Sequence, residues 1–259
     1  MSFFNVPSFE GCRVWITGAS SGIGLAVARE FAARGCRVAL SARRRETLEE
    51  LAATFGEGQA IAVPLEVTYP ESNRGAAARI AEAFGGLDIA FFSAGICEYH
   101  VRGEVDGAIF KRTMDINVTG MAYGIEAALP LLRQSHRPQI VGMSSTAGYR
   151  ALPQSAAYGA SKAAVNYLLA SLRVDLLPEQ IPVTVVFPGF VRTPMTENNR
   201  FSMPFLVDVA RASRIIVDGV ARQRHEVHFP KALSLGLKAL GLLPSPVYTR
   251  IIGRLAGER

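Results

Sequence analysis

The sequence predicts an α/β fold: a doubly wound sheet of seven parallel strands flanked by helices, in one domain of 259 residues. Three observations predict it. Short apolar runs alternate with segments of helical period along the chain. The strand candidates are apolar throughout instead of alternating, as in strands covered on both faces. A glycine-rich turn joins the first apolar run to the first helical segment.

In chain order, CRVWIT (12–17) reads as a strand and GIGLAVAREFAARG (22–35) as a helix stopped by Gly35. CRVALSA (36–42) is a strand and RRETLEELAATFG (44–56) a helix. QAIAVPLEV (59–67), with its β-branched residues, is the third strand, followed by a helix over 72–86 and a strand over 87–95. Residues 110–134 read as one long helix region, 139–145 as a strand and 155–177 as an Ala-rich helix. IPVTVVFPG (181–189) is the sixth strand and EVHF (226–229) the last.

Hydrophobic content of 49% and charged content of 19% suit a soluble globular protein. No apolar run approaches the roughly 18 residues of a membrane span, and the first residues lack a secretory pattern. Cys12, Cys36 and Cys97 show no metal-ligand spacing, so reduced thiols and a cytoplasmic location are expected. Residues 1–199 hold 18 basic and 18 acidic side chains; residues 200–259 hold 10 and 4. The net charge of +6 therefore sits in the last quarter.

TGASSGIG (17–24) places Gly18, Gly22 and Gly24 between strand and helix. Such a turn lets backbone N–H groups and a helix N-terminus meet a pyrophosphate, the Rossmann arrangement. An acid at the end of the second strand would bind the ribose hydroxyl of NAD. Here the chain reads Ser41-Ala42-Arg43-Arg44-Arg45, which favours the 2′-phosphate of NADP, with Arg43 as its contact. Only four of the 28 basic residues are Lys, and Lys162 lies four after Tyr158 on a predicted helix. Residues i and i+4 share a face, and a cation within roughly 4–6 Å lowers an acid's pKa. The same pair also reads as a half-exposed Tyr and a solvated Lys.

Five segments in register decide the matter: TGASSGIG, DINVTG (115–120), GMSSTAG (142–148), YGASK (158–162) and FPGFVRTPM (187–195). Together they resemble the short-chain dehydrogenase/reductase family, in its compact branch, over residues 12–194. The resemblance implies hydride transfer between a nicotinamide cofactor and a small-molecule carbonyl or alcohol, with Asn117, Ser145, Tyr158 and Lys162 as the catalytic set. Tyr158 would give the proton, Ser145 would bind the carbonyl oxygen, Lys162 would lower the Tyr158 pKa and hold the ribose, and Asn117 would place a water. Cofactor contacts are implied at Gly18, Ser20, Ser21, Gly22, Ile23, Gly24, Arg43, Glu66, Val67, Ser93, Ala94, Gly95, Pro188, Gly189, Val191 and Thr193, besides Asn117, Tyr158 and Lys162. Two departures stand out. Phe92-Ser93 replaces the family's paired asparagines before Ala94-Gly95, and Glu66 replaces an Asp near the adenine. Family members assemble through their long helices, here 110–134 and 155–177, so a homodimer or homotetramer is expected. The competing class is a nucleotide-sensing protein without turnover; such relatives lose the Tyr or Lys that this chain keeps. A zinc-dependent dehydrogenase lacks support, since the four His and three Cys form no ligand cluster.

Residues 195–225 are expected to supply helices that cover the substrate. The apolar residues Phe190, Met195, Phe201, Met203, Phe205 and Leu206 suggest a hydrophobic one. Beyond 230 comes a basic, apolar extension: a Leu-rich helix carrying Lys231 and Lys238, then a helix with Val247, Ile251 and Leu255 on one face and Arg250, Arg254 and Arg259 outside. Three readings stay open for it: packing over the cavity mouth or a subunit interface, contact with the inner face of a membrane, or docking of an acidic carrier. Nucleic acid is not expected, because the cations are not interleaved with aromatics on a reading motif.

Overall fold

The computed structural model describes residues 9–197 and 203–257. Phe201 and Arg259, and the side chain of Leu255, lie outside the described residues. Seven strands form one parallel sheet: β1 (Arg13–Thr17), β2 (Arg37–Ser41), β3 (Ala60–Ala62), β4 (Ile89–Phe92), β5 (Gln139–Met143), β6 (Val183–Pro188) and β7 (Glu226–Phe229). Their order is β3-β2-β1-β4-β5-β6-β7, so the chain reverses direction across the sheet between β1 and β4.

The helices are α1 (Gly22–Ala33), α2 (Arg45–Ala52), α3 (Pro70–Phe84), α4 (Gly107–Met114), α5 (Gly120–Leu132), α6 (Ala156–Asp175), α7 (Pro194–Glu197), α8 (Val209–Ala221), α9 (Lys231–Gly241) and α10 (Ser245–Gly257). Strand side chains alternate between two cores. Val14, Ile16, Val38 and Leu40 meet Val27 and Phe31 of α1 and Ile216, Val217 and Val220 of α8. Trp15, Ala39, Ala90 and Phe92 meet Ile80 of α3, Ile125 of α5 and Leu169 of α6 on the other face. Both strand faces are apolar because both are covered, each buried Val, Ile or Leu contributing about 1.5–3 kcal/mol.

Three elements differ from the sequence reading. The third strand is only three residues long, because it lies at the sheet edge and pairs with β2 alone. Val63 N and Leu65 N still donate to Leu40 O and Ala42 O beyond its end. The region 110–134 is not one regular helix. Asp106 caps α4 by accepting from Ala108 N and Ile109 N (2.8 and 3.1 Å), so helix begins at Gly107, a poor helix former. Residues Asp115–Thr119 then form a π-helical turn before α5. In the C-terminal extension, Tyr248 is the buried anchor of α10, whereas Val247 is exposed and Ile251 half-buried.

Of residues 195–225, Met195 and Thr196 line the central cavity, whereas α8 lays Ile216, Val217 and Val220 on the core beside α1. None of the helices among the described residues is long and apolar enough to cross a membrane.

Candidate active site

A cavity of about 750 Å³ opens at the carboxyl ends of the strands, at the reversal between β1 and β4. Open parallel sheets bind ligands at that position. One end is the glycine turn. Gly18 has φ +70°, and a Cβ there would stand 2.8 Å from Ala94 N. At Gly24 a Cβ would stand 2.2 Å from Gly18 O. The turn can therefore be this tight only with glycine at both positions. Ser20, Ser21, Gly22 and Ile23 complete the wall, and the first turn of α1 holds no acidic residue. Its unpaired N–H groups and dipole favour an anion.

The two departures from the family pattern have structural answers. Ser93 and Ala94 are anchored by Thr17, whose Oγ1 accepts from both backbone N–H groups (3.1 and 3.2 Å). The tie that paired asparagines would supply is thus made from β1. Glu66 lines the cavity, but its Oε1 accepts from Thr68 N and Thr68 Oγ1, and it closes its own turn. Val67 and Gly95 line the cavity beside it. Beyond β2, Arg43 and Arg44 are exposed and line the same cavity, while Arg45 pairs with Glu49 at 3.6 Å.

At the far end stand Ser145, Tyr158 and Lys162. Ser145 follows β5 and its Oγ accepts from Ala147 N at 3.2 Å. Its hydroxyl acts on the Tyr158 phenol and favours the phenolate. Lys162, one turn along α6, is buried, and its Nζ donates to Met143 O at 2.9 Å. That Nζ lies 5.6 Å from the Tyr158 ring centroid, as a shared helix face requires. The neighbouring Ser144 is structural: its hydroxyl contacts Lys162 O and the Asn166 carboxamide, fastening β5 to α6.

The electrostatics revise one expectation. Burial pushes the Tyr158 phenol upward, helped by Cys97, and the Ser145 hydroxyl is what pulls it down. Lys162 is not among the groups that lower it. Burial lowers Lys162 itself to about 8, partly offset by Cys97. The low-dielectric pocket penalises both charged forms, and that outweighs their mutual effect. The Tyr158 ring is only half-buried, opening on the cavity, so part of its push is relieved there.

Asn117 does not line the cavity. It sits one layer behind, in the π-helical turn, fully buried. Its Oδ1 accepts from Ile96 N (2.8 Å), and its Nδ2 donates to Ile96 O and Ser161 Oγ (both 2.9 Å). Asn117 thus holds the strand-end loop against α6. Pro188, Gly189, Val191 and Thr193 form the third wall, where Thr196 Oγ1 accepts from Thr193 N and braces the turn. The sequence reading missed Cys97, coupled electrostatically to both Tyr158 and Lys162. Its only sequence signal is its place two residues past Ala94-Gly95.

A glycine cradle on a helix N-terminus, leading through one cavity to a Ser–Tyr–Lys set, defines a dinucleotide-dependent oxidoreductase. The cradle fits the phosphates of such a cofactor, because the positions a Cβ would fill are glycine. The chain belongs to the short chain dehydrogenase family, whose sequence profile matches residues 13–203. It is 36% identical over 245 residues to an uncharacterised oxidoreductase of Myxococcus xanthus, covering 93% of this chain and 96% of that one. It is 37% identical over 196 residues to 11-beta-hydroxysteroid dehydrogenase A of Sesamum indicum, covering 74% of this chain but 56% of that protein. The match to 11-beta-hydroxysteroid dehydrogenase 1A of Arabidopsis thaliana is 34% over 241 residues, 85% and 68% of the two chains. Members of the family are oxidoreductases that use NAD or NADP.

Proposed function

We propose that the protein interconverts a hydrophobic carbonyl compound and its secondary alcohol with NADP(H). The observation that carries the reading is the convergence of Ser145, Tyr158 and Lys162, with Lys162 Nζ 5.6 Å from the Tyr158 ring centroid, in the cavity that begins at the glycine turn. When bound, the nicotinamide supplies or accepts the hydride.

The chain's own residues do the rest. Gly18, Ser20, Ser21, Gly22, Ile23 and Gly24 cradle the pyrophosphate, and Glu66, Val67, Ser93, Ala94 and Gly95 flank the adenosine and central part. Arg43, with Arg44 beside it, meets the 2′-phosphate. The Ala147 N–H occupies one lone pair of Ser145 Oγ, which orients the hydroxyl and leaves its proton for the carbonyl oxygen. Tyr158 Oη gives its proton to the same oxygen in reduction and takes it back in oxidation. An ammonium has three donors, and Met143 O uses one of Lys162's. The other two serve the Tyr158 oxygen and the ribose. Asn117 has spent its amide on Ile96 and Ser161, so the water linking Lys162 to solvent falls to its main-chain oxygen. Pro188, Gly189, Val191 and Thr193 close over the nicotinamide.

Ile96, Met143, Val191 and Met195 line the substrate end, which supports a lipophilic ketone: steroid-like, long-chain, 3-ketoacyl or aromatic. Two relatives carry hydroxysteroid dehydrogenase names. Assembly as a homodimer or homotetramer is supported by α6, whose outer face exposes Tyr167 (80%) and Val174, with Leu177 exposed just past its end.

The test pairs NADPH and NADH binding, read by nicotinamide fluorescence, with turnover over a carbonyl panel for the wild type and Tyr158→Phe. NADPH binding kept and turnover reduced by roughly 10²–10⁴ in the variant is expected. Undiminished turnover in Tyr158→Phe sinks the mechanism. Wild-type binding without turnover on any carbonyl points to a nucleotide-sensing protein instead.

A further inference from the structure

We propose that the C-terminal hairpin of α9 and α10 docks the protein on an anionic phospholipid bilayer. The sequence from Lys231 to Gly257 contains no Asp or Glu. Among the described residues, Lys231, Arg250 and Arg254 have no acidic partner, while Lys238 pairs with Glu226 at 3.2 Å. On α9 the solvent face is one stripe: Lys231, Leu235, Lys238 and Leu242, at i, i+4, i+7 and i+11, all exposed. Leu235 is 66% and Leu242 88% exposed. On α10, Val247, Arg250 and Arg254 recur at i, i+3 and i+7, again exposed. Cations interleaved with protruding apolar residues suit a headgroup boundary, where side chains enter the acyl edge and ammonium or guanidinium groups meet phosphate.

The inner faces are already used. Ser234 and Tyr248 are buried, and Tyr248 Oη donates to Ala151 O at 2.7 Å. Arg150 donates to Gly241 O and Leu243 O (2.6 and 2.7 Å) and stacks over the Tyr248 ring at 4.1 Å. Leu233 presses on Gly189 so closely that a Cβ there would stand 2.6 Å from it. Gly189 lines the cavity, so the hairpin sits beside the mouth, where a lipophilic substrate leaving a bilayer would enter.

Two other occupants fit less well. A second copy meeting this face through a two-fold axis would set cations against cations. An acidic protein would need a pocket for each protruding leucine, whereas a bilayer edge accepts them as they stand.

Full-length protein is sedimented with vesicles of pure phosphatidylcholine and with vesicles carrying about one-third phosphatidylglycerol. Binding only to the anionic vesicles, weakened by salt, is expected. Replacing Lys231, Arg250 and Arg254 by Ala should weaken it about fivefold for each cation, so about 100-fold in all. Leu235→Ser with Leu242→Ser should also release the protein. All five positions are exposed, so turnover of a small water-soluble ketone should stay at the wild-type level. Several outcomes overturn the proposal: no wild-type sedimentation with anionic vesicles, variants that bind like wild type, or retention on polyglutamate without vesicle binding. So does an oligomer that Leu242→Ser breaks while vesicle binding persists. Vesicle binding is read without catalysis, so the docking and the carbonyl reading fail independently.

Discussion

The nucleotide end of the cavity and the clamp on the C-terminal hairpin are built differently. The nucleotide end is made of backbone: glycines whose missing Cβ atoms leave room at Ala94 and Gly18, with Thr17 tying β1 to the loop after β4. The clamp on the C-terminal hairpin is made of side chains reaching across the chain, none of them in the cavity lining. Arg150 binds carbonyls 91 and 93 residues away, and Tyr149 Oη meets His228 Nδ1 at 2.6 Å. A backbone cradle depends on which residues are absent at given positions. A side-chain clamp depends on which residues the fold brings together. The first should fail by steric insertion, the second by loss of one anchor.

The largest effect is expected at the far end of the cavity. Lys162→Met removes the cation beside Tyr158 and should lower turnover by roughly 10²–10⁴. Its stability should move the other way. The buried lysine has a lowered pKa, so the stability it contributes is present above its unfolded value of about 10.4 and lost as pH falls through about 8. At neutral pH its burial is therefore a cost, and the variant should melt a few degrees higher by calorimetry. A lower Tm would show that the bond to Met143 O outweighs desolvation. For the same reason, wild-type kcat/KM for reduction should fall above about pH 8, where Lys162 loses its charge.

Gly24→Ala attacks the nucleotide end alone. The added methyl must displace Gly18 O, a backbone atom, at about 1–3 kcal/mol. If that strain falls on the cradle, NADPH binding should weaken roughly 10- to 100-fold. Unchanged binding would mean the turn relaxes elsewhere. Arg43→Ala should reduce the preference for NADPH over NADH by about tenfold or more, the worth of one charged hydrogen bond. An unchanged ratio would transfer that role to Arg44.

Arg150→Ala attacks the hairpin clamp alone. Amide exchange should quicken in α9 and α10 and stay slow in α1 and β4, with NADPH affinity within about twofold of wild type. A uniform rise would mean that the hairpin and the sheet unfold together. The smallest effect concerns His228, stacked on Phe187 and held between Tyr149 and Glu226, with Lys238 nearby. Burial lowers its pKa, so the stability it contributes is present above about 6.5 and lost as pH falls through its lower folded value. Exchange in α9 should therefore quicken on mild acidification, and His228→Gln should flatten that response.

The fold was legible because parallel strands leave unbroken apolar runs, and glycine at 18, 22 and 24 has a local steric meaning. Tyr158 and Lys162 were legible because helical spacing puts them on one face and the five segments in register gave that face a meaning. The π-helical turn at Asn117 was not, since Asp-Ile-Asn-Val-Thr is a run of weak helix formers, which lowers helix propensity without signalling a widened turn. Nor was the direction of the Tyr158 shift, because burial is a property of everything packed around a residue.

By itself, then, the sequence determined the strand order's raw material, the glycine cradle and the family of chemistry, all of which rest on short-range spacing. Tertiary structure alone decided that Asn117 stands behind the cavity, that Cys97 lies within electrostatic reach of the reacting pair, that α8 belongs to the core, and that Arg150 pins the C-terminal hairpin. Those facts depend on contacts between residues far apart in the chain, and their energies come from desolvation and packing that no local pattern encodes.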